Sequence, residues 1–98
     1  MAERDIVAAI LRLLKKTPCC FAWKEHGGMY GTAGVPDIIA CIGGRFVAFE
    51  VKTETGKLTK LQEITLQKIK NAKGQAFKVT SAAEVATILK MMEVSPHE

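Results

Sequence analysis

The chain has 98 residues, 48% hydrophobic and 24% charged, with 14 Lys and Arg against 10 Asp and Glu for a formal net charge of +4. That length suits one domain, expected over residues 1–98, and the composition excludes a disordered chain. No apolar run approaches the roughly 20 residues needed to cross a bilayer, and the early charges Glu3, Arg4 and Asp5 exclude a secretory signal.

The positive balance permits a polyanionic partner without demanding one. Three cysteines, two of them adjacent (Cys19 and Cys20), make no disulfide framework. With no C-x-x-C and only the isolated His26 and His97, a zinc site is not expected. Reduced thiols point to the cytoplasm.

In chain order, residues 2–16 read as an amphipathic helix, with Ile6, Ala9, Ile10, Leu13 and Leu14 on one face and Pro18 preventing continuation. Glu3 falls on the same stripe. It is either a first-turn acid favoured by the helix dipole or a third carboxylate aimed at a site. Residues 19–26 suit a first strand with Phe21 and Trp23 on one face; the single Trp reads as core or interface rather than as a base-stacking platform. Residues 27–34 form a glycine-rich loop around Tyr30 that matches no phosphate-binding motif.

The stretch P-D-I-I-A-C-I-G-G-R-F-V-A-F-E-V-K, Pro36 to Lys52, reads as a hairpin. Two β-rich runs, 36–42 and 45–52, flank Gly43-Gly44, a pair suited to a primed two-residue turn. That register sets Ile42 opposite Arg45, Cys41 opposite Phe46, Ile39 opposite Ala48 and Asp37 opposite Glu50. Side chains alternate along a strand, so Lys52 shares the face of Glu50 and Asp37. Like charges placed directly opposite destabilise a sheet. Either one carboxylate holds a proton or a cation sits between them, and oxygen ligands favour a hard divalent ion. The alternative is a solvated strand end with Lys52 as an ion-pair partner. Apolar Ile39, Cys41, Phe46 and Ala48 argue for a covered face instead. The other face carries Ile38, Ala40, Ile42, Val47, Phe49 and Val51, so both faces are expected to be covered.

A short loop, 53–57, leads to a helix from about Thr59 to Lys73, ending at Gly74 as C-cap, with Leu58, Leu61, Thr65, Ile69 and Ala72 facing inward. Gln62 lies in that arc. Its amide either closes a Thr59-x-x-Gln62 capping box or projects toward the carboxylates. Residues 75–80 form the last strand. Ser81 caps a final helix to about Met92, with Glu84 at its capping-box position and a loose tail over 94–98. The element order is αβββαβα.

P-D, twelve residues, then E-V-K matches the P-D…(D/E)-x-K pattern of the restriction-endonuclease-like nucleases. Together with the first helix bearing Glu3, G-V-P-D-I-I-A, G-R-F-V-A-F-E-V-K, G-K-L-T-K-L-Q and G-Q-A-F-K-V-T-S-A-A-E-V, the chain resembles the virus-type replication-repair nuclease (VRR-NUC) domain over nearly its whole length. The resemblance implies an α/β, restriction-endonuclease-like αβββαβ core, with a mixed central sheet flanked by helices and a C-terminal helix. It also implies a homodimeric, structure-specific DNA endonuclease acting on branched DNA such as Holliday junctions, with no small-molecule cofactor and no membrane partner. Mg²⁺ or Mn²⁺ would be held by Asp37, Glu50 and the Val51 backbone carbonyl. Lys52 would orient the attacking water, and Glu3 and Gln62 would complete the catalytic set. The competing expectation is a non-catalytic nucleic-acid-binding module that retains the fold.

Overall fold

Apolar residues on both sides of two strands call for cover on both sides, and a computed structural model, describing residues 1–26 and 33–93, shows how far it is supplied. The element order is α1 (Glu3–Lys15), β1 (Cys20–Lys24), β2 (Ile38–Ile42), β3 (Arg45–Val51), α2 (Lys60–Asn71), β4 (Gln75–Val79) and α3 (Ala82–Met91). The strands form one mixed sheet, ordered β1-β2-β3-β4. The first three pair antiparallel, and β4 joins β3 in parallel through the α2 crossover. The expected α/β architecture is the observed one. No helix among the described residues is long and apolar enough to cross a membrane. Positions 27–32, with Tyr30, and the expected tail over 94–98 lie outside the described residues.

The β2–β3 register is the one the Gly-Gly turn dictates: Ile42 pairs with Arg45, Cys41 with Phe46 and Ile39 with Ala48. Gly43 and Gly44 have φ of +56° and +81°, the left-handed pair that a primed turn needs and glycine supplies without strain. One face of the sheet packs Ile38, Ala40, Ile42, Val47, Phe49 and Val51 against Ile6, Val7, Ile10 and Leu14 of α1 and Val85 and Leu89 of α3. Fully burying each large side chain contributes roughly 1.5–3 kcal/mol. Arg45 ties the hairpin to the end of α3, its Nη2 donating to the Met92 carbonyl at 2.9 Å.

The opposite face is covered only in part. Ile39, Ala48 and Ala76 are buried with Leu66 of α2, but Cys41 is exposed and Phe46 is 48% exposed. Full cover of this face was the expectation; among the described residues α2 lies over the β3–β4 side, its C-terminal end bordering Phe46, and leaves the β1–β2 side with Cys41 beyond it. Trp23 and Phe21 are not core either, because β1 is the sheet edge beyond that cover.

Three local details also differ. The buried position of α2 is Leu66, flanked by half-buried Leu58, Gln62 and Ile69, while Leu61 is 47% exposed and the expected Ala72 is exposed. The left-handed residue ending α2 is Lys73 (φ +76°), not Gly74. Gly74 is required for space: a Cβ there would lie 2.9 Å from Ile69 Cγ2. Ser81 caps α3 by accepting from the Glu84 N–H (3.1 Å), but the Glu84 carboxylate reaches one residue further back, to the Thr80 N–H (2.7 Å).

Candidate active site

Four of the expected site residues meet at the end of the sheet away from the Gly-Gly turn. Asp37 stands one residue before β2, and continuing the ladder past Ile38–Phe49 sets it opposite Glu50. Its backbone is held by the Glu25 N–H, which donates to the Asp37 carbonyl at 2.7 Å. Its side chain is held from the other strand: the Val51 N–H donates to Asp37 Oδ2 at 2.8 Å. This bond aims the carboxylate across the hairpin, and it attaches Asp37 to the residue whose carbonyl was the expected backbone ligand.

Glu50 is only 3% exposed. Burial disfavours its charged form, and Asp37 adds to this by hydrogen bonding and by charge repulsion. Together they push the Glu50 carboxyl from an ordinary 4.5 up to about 8, with Lys52 acting in the opposite direction. Without a cation, the two acids therefore resolve their conflict by keeping a proton at Glu50 at neutral pH. Half-buried Lys52 stands just past the end of β3, two residues on from Glu50.

Gln62 does both things the sequence leaves open. Its Oε1 accepts from the Thr59 N–H at 2.9 Å while the Thr59 hydroxyl accepts from the Gln62 N–H at 3.1 Å, closing the capping box. Its Nε2 donates to Glu50 Oε2 at 3.3 Å. One amide thus has an acceptor end for the helix and a donor end for the site.

Glu3 is exposed in the first turn of α1, where the helix dipole favours an acid, and its charge acts on Glu50, reinforcing the upward shift. Among the described residues no three His, Cys, Asp or Glu side chains converge as a metal-binding group. Asp37 and Glu50 do present two opposed oxygen donors whose repulsion a hard cation would remove, so this pair fits a divalent ion. The sequence reading missed the backbone anchors of Asp37 from Glu25 and Val51. The hairpin register that sets Asp37 beside Val51 was the signal for the second.

No protein-family model matches the chain, and no curated protein matches it. The structure is similar to a solved structure titled "VRR_NUC domain", with a TM-score of 0.76 and 19% sequence identity, over 90% of this chain and 94% of that one. At that identity the likeness shows the fold, the α/β fold of that domain.

Proposed function

We propose that this chain, built on the fold of a VRR_NUC domain, is a VRR-NUC family member: a divalent-metal-dependent, structure-specific DNA endonuclease acting on branched DNA such as Holliday junctions. The observation that carries the reading is the opposed pair Asp37 and Glu50, one buried and proton-holding, with Lys52 and the Gln62 amide beside it. A retired site has no reason to keep two acids in conflict, and this disfavours a non-catalytic binding module.

Asp37, Glu50 and the Val51 carbonyl would hold Mg²⁺ or Mn²⁺. When bound, such an ion supplies charge neutralisation at the scissile phosphate and acidifies a water. Glu50 would have to give up its proton to serve as a ligand. Lys52 orients the attacking water and stabilises negative charge developing on the phosphoryl oxygens; a compact ammonium suits this better than a planar guanidinium. Gln62 fixes the orientation of the Glu50 carboxylate by donating to its Oε2. Glu3 acts at longer range, as an accessory charge. Two sites are needed to cut two strands of a junction, which favours a homodimer, and the work belongs in the cytoplasm of a bacterial or phage-infected cell.

The test is incubation of the purified protein with linear duplex, flap and four-way-junction DNA in Mn²⁺, beside Asp37→Ala. Metal-dependent cutting of branched substrates, lost in Asp37→Ala, is the expected result. An absence of cutting on every substrate overturns the assignment.

A further inference from the structure

Phe21 and Trp23 share the sheet face of Asp37 and Glu50: in register, Trp23 pairs with Ile39 and Phe21 with Cys41. Packing does not account for them, since Phe21 is 69% and Trp23 42% exposed. Their ring centroids lie 5.6 Å apart at an interplanar angle of 44°, so each ring supports the other. Trp23 is also anchored. Its Nε1 donates to Glu25 Oε2 at 3.0 Å, and the Glu25 N–H is the group that holds the Asp37 carbonyl. The indole and the carboxylate are therefore fixed to one short piece of backbone. One strand, β2, lies between Trp23 on β1 and Glu50 on β3, two strand spacings or roughly 10 Å across the sheet.

The area available points to a small, flat occupant. Phe21, Trp23 and Phe46 are the large exposed apolar side chains on the strands among the described residues. Together they leave about 300 Å² open, from the 150–250 Å² that each such ring buries. A stable protein interface takes about 800 Å² of polar and apolar surface from each partner; the rings by themselves fall well short of that and suit a small, flat occupant better than a second copy of the chain. They are sufficient for a nucleobase.

We propose that Trp23, braced by Phe21, stacks an unpaired base a few nucleotides from the scissile phosphate, and that this selects DNA with single-stranded or splayed bases over continuous duplex. The proposal rests on the nuclease reading of Asp37, Glu50 and Lys52. A base inside a duplex already has both faces stacked, so only an unpaired one gains from the platform. Because every base has a π-face, the selection is by structure and not by sequence.

Trp23 is the one tryptophan of the chain, so its emission reports the contact directly. The wild-type protein is titrated without divalent metal against a thymidine single strand, an abasic strand of equal length and charge, and a blunt duplex. The thymidine strand quenches the emission and binds on the order of tenfold more tightly than the abasic strand; abasic strand and duplex bind without quenching. Trp23→Ala, its fold checked by circular dichroism, loses on the order of tenfold in affinity for the thymidine strand and nothing for the abasic one. Trp23→Phe recovers part of the loss.

Equal quenching and affinity for thymidine and abasic strands overturn the proposal. So does a folded Trp23→Ala variant with undiminished affinity, or one whose only change is from dimer to monomer in sedimentation, which would give this face to a second copy. If the platform fails while wild-type protein still cuts DNA in Mn²⁺, the nuclease reading stands alone. If no nucleic acid is bound or cut, both readings fall.

Discussion

Glu50 is where the chemistry of the site becomes measurable without a substrate. Its ordinary value of 4.5 applies to the unfolded chain, and folding raises it to about 8. Below pH 4.5 both states hold the proton. Between 4.5 and 8 only the folded state does, so the stability this group contributes at low pH is lost as pH rises toward 8. The metal-free protein is thus expected to lose on the order of 2–4 kcal/mol across that window through Glu50, seen as a falling Tm in a pH series. Glu50→Gln, neutral throughout, should flatten the slope, and an unchanged slope would remove Glu50 as its source. Lys52 is tested by Lys52→Arg, which keeps the charge and changes its shape. Cleavage should fall roughly 10²–10³-fold with Tm nearly unchanged. Cutting at the wild-type rate would take Lys52 out of the proposed chemistry.

At the scale of elements, the start of α2 serves stability and the site through separate atoms. Thr59→Ala removes the hydroxyl that caps the helix and should cost about 1 kcal/mol by thermal unfolding while leaving the Gln62–Glu50 contact and cleavage in place. Gln62→Ala should cost a similar amount and also lower cleavage, since both ends of the amide are lost. Equal activity in the two variants would confine Gln62 to capping. The approach to Asp37 depends on Gly34, whose φ of +80° and 2.7 Å clearance from Leu61 Cγ leave no room for a Cβ. Gly34→Ala should destabilise by about 1–3 kcal/mol, and a Tm equal to wild type would show that the segment tolerates the shift. The hairpin was legible from residues alone, because a Gly-Gly turn and a period of two leave one register. The inward face of α2 was not. Leu58, Leu61, Gln62, Thr65, Leu66 and Ile69 span too wide an arc for helical period to choose among them, and the choice follows from where Gln62 and Leu66 meet the sheet. Exposure of Trp23 was equally invisible, since a strand pattern does not say whether a helix will cover it.

At the scale of the molecule, α1 and α3 cover one face of the sheet and α2 part of the other, and the Asp37–Glu50 pair lies on that second face, which also carries the aromatic side chains of β1. The net charge of +4 favours approach of a polyanion to the whole particle, but function depends on what the two acids hold. The most direct measurement is calorimetric titration of Mn²⁺ into the protein in two buffers of different ionisation enthalpy, beside Asp37→Ala. We expect binding with release of a proton from Glu50, abolished by Asp37→Ala. Binding that is absent, that releases no proton, or that survives the loss of Asp37 would contradict a cation shared between these carboxylates.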